Sequence, residues 1–385
     1  MAYTTVNDQS AHFQTTIYTG NGTSQDITNT GNSNLRPDWL WIKQRSGAAG
    51  VSSHVVKDSN RGVTKELYPN ANSAEGTSSL IDELLTDGFS INNTANDHYN
   101  YNNALYVAWQ WAAGGATPSK TYRVVVVSDS GNKYRFRNST NTATFAQSAV
   151  TLELQSGGTY TFDQSDSTVA SHPMKFSTTS DGTHGGGSSY NTGVTYKLDG
   201  STVTESAYVS GFASATTRQI ILNVQNTTTL YYYCHYHSGM GGQVDQNATF
   251  GQTNFDGSIL SRSSENATSG FSIVRHTGTG SAGTVGHGLG GVPDWIVTKR
   301  RTQADDWAVY QTNVGNEYYL EWNSTNARQT ASSVWGDTTP TSLSFTVGGA
   351  NGKNNASSAT YVSYCFKANG GTTSSNMDGT ITSTV

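Results

Sequence analysis

A thiol, an imidazole and a thioether stand at i, i+3 and i+6 within Tyr231-Tyr232-Tyr233-Cys234-His235-Tyr236-His237-Ser238-Gly239-Met240-Gly241-Gly242. These are soft or borderline donors, so one short stretch offers a thiolate and a neutral imidazole to a transition metal, with a thioether in reach. The aromatic run before Cys234 reads as a strand, which puts the donors at a strand end. Each side chain also has an ordinary role. Cys234 could be a small buried hydrophobe and Met240 a gap-filler. Zinc would accept the same donors less characteristically than copper. His235 adds a further imidazole directly beside the thiol.

Other chemistry is sparse. His54, Asp58 and Arg61 fall close together, but the pattern reads as a solvated turn with an Arg–Asp pair. The Gly-rich run Gly283–Gly291 precedes a strand signal at Pro293 and not a helix, which speaks against a phosphate cradle. The adjacent carboxylates Asp305-Asp306 and Asp82-Glu83 would face opposite sides of a strand and make poor acid–base pairs. There is no Gly-x-Ser-x-Gly elbow and no zinc-protease helix pattern. The expectation is a protein that is not an enzyme. Tyr99, Tyr101, Trp307 and Trp322 could stack on sugar rings if exposed; packing in a core or interface is their ordinary role.

The elements that must position these residues are strands. With 385 residues the chain has room for two or three domains. Only 13% of residues are charged and the net charge is -5, which leaves no basic footprint for nucleic acid. The polar content is Thr, Ser, Asn and Gly, residues of strands, turns and loops. The 41 glycines beside 6 prolines fit many short turns, and 8 Trp, 21 Tyr and 12 Phe can fill several small cores. The two cysteines, Cys234 and Cys365, make no disulfide framework, and Cys365 reads as a small buried strand residue. Met1–Thr5 has no secretory pattern, and no apolar run approaches the ~20 residues of a membrane span.

Residues 1–12 read as an arm. From Phe13 to about residue 117 runs a first module with strands at Phe13–Tyr18, Pro37–Lys43, Phe89–Ile91 and Tyr106–Trp111. Leu80–Leu85, with apolar spacing of i, i+4, is its one helical candidate. Residues 248–375 repeat the module. Phe13, Pro37-Asp38-Trp39, Phe89 and Tyr106-Val107-Ala108-Trp109 match Phe271, Pro293-Asp294-Trp295, Phe345 and Tyr361-Val362-Ser363-Tyr364, and Gly114-Gly115 matches Gly370-Gly371. The second copy lacks a counterpart to Asp58…Arg61-Gly62. Asp256-Gly257-Ser258-Ile259 recurs as Asp378-Gly379-Thr380-Ile381 in the last ten residues, 376–385, which read as a strand in need of a partner on a neighbouring subunit.

The two copies resemble a β-rich module of tail-fibre and appendage proteins of marine tailed bacteriophages. The carrying residues are Tyr18-Thr19-Gly20-Asn21-Gly22, Pro37–Lys43, Asp58–Gly62, Asp87-Gly88-Phe89 and Tyr106–Trp109. Between the copies, residues 118–247 resemble the cupredoxin domain, a Greek-key β-sandwich with one upstream His and a Cys-x-x-His-x-x-Met loop after the penultimate strand. Carried over position by position, the resemblance makes His172 the upstream imidazole ligand, Cys234 the thiolate, His237 the second imidazole and Met240 the weak axial thioether of a type 1-like copper site. His235 and the long Gly-rich loop Ser180–Gly187 depart from that pattern.

The expected fold is therefore all-β: three consecutive β-sandwich-like domains, the outer two repeats of each other. The resemblance implies a structural part of a virion (fibre, appendage or capsid decoration) made in the host cytoplasm. Its partners would be other virion proteins, copies of itself in a trimer or ring, and a host-surface glycan or protein; neither nucleic acid nor membrane insertion is expected. The rival expectations are one-electron transfer through the copper site and carbohydrate binding. The absence of an export signal speaks against the first rival, since blue-copper carriers work in exported compartments.

Overall fold

Alternation along Trp39-Leu40-Trp41-Ile42 sends Leu40 and Ile42 to one face of a strand and the two tryptophans to the other. Both faces are covered: Trp39, Leu40 and Ile42 are each 1% exposed. A computed structural model of the chain, describing residues 6–47, 52–92, 96–114, 117–142, 145–330, 332–368, 375–377, 380–381 and 383–384, shows what covers them. The fold is all-β, built from packed sheets with, among the described residues, two short α-helices, Glu205–Gly211 and Ser332–Trp335, and three 3-10 turns.

The first copy holds a four-stranded antiparallel sheet in the order Phe13–Thr19, Leu105–Trp111, Trp39–Ser46, Val55–Asp58. Facing it is a smaller sheet of Gln25–Ile27, Phe89–Ile91 and Ile81–Leu84. Leu40, Ile42, Ile81, Leu84, Phe89, Ile91 and Tyr106 fill the space between. The helix expected at Leu80–Leu85 is thus a strand. The pairing of Ile81–Leu84 with Phe89–Ile91 shifts register between Ile81 and Glu83. A bulge of this kind puts two residues opposite one. It returns Ile81 and Leu84 to the same core face at a spacing of three, which in sequence imitates a helix.

The second copy repeats the order with Phe271–Thr277, Thr360–Phe366, Trp295–Arg300 and Ala308–Gln311. Even the register is shared: Trp39 faces Trp111, and Trp295 faces Phe366. Gln311 stands opposite Trp295 where Asp58 stands opposite Trp39, so the missing counterpart of Asp58 holds in space as well. The sheet grows to eight strands by Gln252–Asn254 and Ser261–Asn266 at one edge and Tyr318–Glu321 and Gln329–Thr330 at the other.

The two copies are distant in sequence and adjacent in space. Their large sheets meet through the faces that do not line their own cores. Trp39 lies with its ring centroid 5.7 Å from Phe271, 5.0 Å from Tyr364 and 5.8 Å from Phe366. Val56, Leu67, Ile273, Val297 and Trp307 complete this shared core. Asp58 and Arg61 are here too, with side chains fully buried and 2.5 Å apart. Arg61 reaches Glu75, which is held by Arg301 of the second copy, and the Tyr364 hydroxyl donates to Asp58 at 2.8 Å. The pair read as a solvated turn is an interior network between copies; the local turn signal carried no information about the sheet that covers it.

The central segment forms two facing sheets. The larger has the order Asn132–Asn138, Ser119–Ser128, Thr159–Asp163, Arg218–Asn223, Val194–Leu198, Ser201–Val203; the smaller runs Leu152–Gln155, Gly242–Asn247, Leu230–Cys234, Met174–Ser177. Each contains one parallel pair. Tyr122, Phe136, Phe162, Phe176, Leu222 and Tyr232 pack between the sheets. Phe255, from beyond residue 247, joins this core against Tyr122, Phe136 and Phe145. At the tail, Ser375 pairs with Thr384 and Asn376 with Ser383, so the described part of the expected lone strand closes on itself as a hairpin. Asp378-Gly379, Gly115 and Gly370-Gly371 lie outside the described residues.

Candidate metal centre

Leu230–Cys234 lies inside its sheet, between Gly242–Asn247 and Met174–Ser177. Its apolar and aromatic residues explain the placement: Leu230, Tyr232, Tyr233 and Cys234 are all 0% exposed. Register then does the rest. Cys234 pairs with Met174, so the turn just before Met174 is brought alongside the thiol. That turn carries His172.

Three donor atoms converge there. His172 Nδ1 and His237 Nδ1 are 3.0 Å apart, and Cys234 Sγ is 3.8 Å from the first and 3.5 Å from the second. A point about 2.0 Å from all three atoms exists at the centre of this triangle, which is an ordinary metal–imidazole length and about 0.3 Å short of a metal–thiolate bond. Among the described residues these are the His, Cys, Asp or Glu side chains grouped closely enough to share an ion. Cys234 and His172 are buried, while His237 is exposed. Met240, the fourth expected ligand, is 1% exposed and packs in the same core as Cys234.

Protonation suits a metal. Burial, and then His237 beside it, push the pKa of His172 below its ordinary value, so its imidazole is neutral at pH 7. One ring of the pair donates across the 3.0 Å contact; coordination through both Nδ1 atoms requires both protons on Nε2. Burial pushes the Cys234 thiol up, against the opposing effect of the Tyr134 hydroxyl and the amides of Tyr236 and His237. The two amides would stabilise a thiolate once a cation replaces its proton.

The surroundings hold the donors in place. The Tyr134 hydroxyl donates to the His172 carbonyl at 2.7 Å, the Tyr134 amide to the Met240 carbonyl at 3.0 Å, and the His235 amide to the Pro173 carbonyl at 2.9 Å. Asp181 accepts from the Ser238 hydroxyl and from the Gly239 amide at 2.9 Å. Lys133 donates to the Gly239 carbonyl. Gly241 passes so near the Tyr232 carbonyl oxygen that a Cβ would lie 1.7 Å from it. The Gly-rich loop that departed from the resemblance is the brace: Gly182 lies against the Tyr233 ring, and His184 Nε2 donates to the Cys234 carbonyl at 3.0 Å. Tyr134, Asp181, Lys133 and His184 carried no signal in the sequence, because each meets the Cys234–Met240 segment from 50 or more residues away.

The remaining candidates do not assemble into sites. His235 is outside the donor group and senses Lys175, Glu205 and His184 instead. His54 accepts from Trp41 Nε1 at 3.0 Å. Gly283–Gly286 is a strand paired with Ser344–Val347, and His287 is buried against the Thr341 carbonyl. Asp305 and Asp306 sit in a loop, and both bond Lys353. Tyr99 and Trp307 are 1% and 0% exposed, and Trp322 packs on Trp41, Trp295 and Trp307, so these rings are core and interface. Cys365 is a buried strand residue whose thiol is pushed up to about 12 by burial.

Set against known proteins, the chain matches a family described as a domain of unknown function, DUF7483, over residues 8–236 and 244–366, and it belongs to that family. No curated protein and no solved structure matches it.

Proposed function

We propose that this member of the DUF7483 family binds one copper ion in its central domain, with His172, Cys234 and His237 as the close ligands and Met240 as a weak fourth. The observation that carries the reading is the triangle of donor atoms, already spaced for a common ion and clamped by bonds to the surrounding backbone. Two imidazoles and one thiolate, with the Met240 thioether buried in the same core as the thiol, favour copper over zinc, which shows no particular demand for the thioether. When bound, copper supplies a strong thiolate charge-transfer absorption and a one-electron couple. The chain itself supplies a fixed cage and a tie between the His172 turn, the end of the Cys234 strand and the following loop. The first service of the site is to pin that end of the sandwich.

Adding Cu(II) to the full chain should give one equivalent of bound metal and an intense visible band. Cys234→Ala should lose both, and Cys365→Ala should keep both. A wild-type protein without band or bound metal would remove the copper reading.

The wider role we propose is structural: a part of a tailed-phage particle, assembled as a symmetric homo-oligomer and acting in assembly or host-surface adhesion. Its support is the resemblance of the duplicated modules, together with the way those modules fuse into one double sandwich through a shared aromatic core. Peptide mapping of purified particles tests it, and finding the chain free of particles would overturn it. A second reading, one-electron transfer, is favoured by the exposure of His237 at the edge of the centre. It requires a reversible redox couple for the bound metal, measurable by voltammetry.

A further inference from the structure

A cleft of about 540 Å³ lies where the central sandwich meets the second copy. Its volume is within the ~300–1,000 Å³ usual for small-molecule sites, and domain junctions are where such sites occur. Glu153 enters it from the central domain, Arg262, Arg275 and His276 from adjacent strands of the second copy, and Arg301 from the end of a third.

The charges around it do not balance. Arg61, Arg262, Arg275 and Arg301 are linked in ion pairs with Asp58, Glu75 and Glu153: four guanidinium groups to three carboxylates. Arg262 also donates to the carbonyls of Gly251 and Thr249, and Arg301 grips Glu75 through two nitrogens. Arg275 is the weakly held member. Its Nε donates to Asn60 at 2.6 Å, and its Nη2 lies 3.5 Å from Glu153. Among the described residues its Nη1 has no partner. Burial and then the nearby Arg262 lower its pKa to about 10, as expected of a cation short of counter-charge.

The rest of the lining is rich in hydroxyls. Thr277 and Thr360 are cross-strand partners at the mouth, with Thr151 and Thr279 close by. His276 is 4% exposed and lines the cleft. Its Nε2 donates to the Asn354 carbonyl and its ring stacks on Tyr361, so the imidazole faces away from Arg275 and Thr277 and is no part of the ligand contact. A guanidinium with a free edge beside a row of hydroxyls matches a ligand carrying both an oxyanion and hydroxyl groups. We propose that this cleft binds an acidic sugar, its carboxylate on Arg275 and its hydroxyls on the threonine side.

The proposal is independent of the metal centre and is tested on the full chain by titration calorimetry at low salt. Glucuronate should bind at one site per chain, at least about tenfold tighter than glucose and than inorganic phosphate. Arg275→Gln should weaken it by about tenfold or more. If that variant does not fold, Thr277→Val combined with Thr360→Val, both near the surface, should weaken glucuronate several-fold and leave phosphate unchanged. No glucuronate binding, equal binding of glucose or of phosphate, or affinity unaffected by the variant that folds would each overturn the assignment.

Discussion

Cys234 decides how the centre responds to pH. Its thiol lies above the ordinary cysteine value through burial, so the metal-free protein holds the thiol proton at pH 7, and the His172 imidazole is neutral. On the proposed ligation, copper would displace that thiol proton. Affinity should rise about tenfold per pH unit between about pH 7 and 9. A chelator competition run at several pH values measures the slope, and a flat profile would mean that the thiol is not a ligand. His276 gives a second pH effect, on stability. Burial pushes it down to about 4, against the raising effect of the Asn354 carbonyl. The unfolded chain takes up that proton near pH 6.5 and the folded chain only near 4. Stability is thus complete above about pH 6.5 and falls on acidification, by up to roughly 3 kcal/mol at pH 4. Comparing denaturation of wild type and His276→Gln across that range isolates the effect, since the variant should lack this share of the loss.

At the scale of elements, the ligand loop is made by what surrounds it. Asp181 binds the Gly239 amide, and Gly241 runs against the Tyr232 carbonyl. Removing the charge with Asp181→Asn should cost metal affinity roughly 10- to 100-fold, as loss of an outer support does. Gly241→Ala should do at least as much, because its Cβ must displace the strand or the loop. Retained Cu(II) absorption at equal affinity in both variants would show that the loop needs no brace. The strand Ile81–Leu84 teaches the complementary lesson. A bulge set Ile81 and Leu84 on one face three residues apart, and with Leu80 and Leu85 beside them the apolar residues stood at i, i+4 and pointed to a helix.

At the scale of the molecule, the outer copies form one body. Arg61 has no exposed side-chain surface and is the ion-pair partner of Asp58, so Arg61→Leu strands the Asp58 carboxylate in the interior while Glu75 keeps Arg301. Removing one partner of such a network costs roughly 3–5 kcal/mol. Chemical denaturation should register that loss, with the outer copies unfolding together because Trp39, Phe271 and Tyr364 share one core. Separate transitions for the two copies, or a loss under about 1 kcal/mol, would contradict this account. A solvated turn would have made the same substitution nearly neutral.

The sequence by itself determined whatever repeats locally or depends on residue type. The β class follows from Thr, Ser, Asn, Gly and aromatic usage. The duplication follows from a nearly fixed offset, and Cys234, His237 and Met240 follow from spacing in one loop. His172 was reached only through a resemblance. Its meeting with Cys234 was decided by the register that sets Met174 opposite the thiol. Only the tertiary structure could decide what covers the second face of a sheet. Alternation in Trp39–Ile42 shows that two faces are apolar, yet nothing local says that Phe271, Tyr364 and Phe366 lie across from Trp39. For the same reason Asp58 and Arg61 looked solvated and are buried, and Tyr134 and Asp181 were unreadable as supports of the centre. Burial and long-range hydrogen bonds are properties of the packed chain, and a local pattern contains neither.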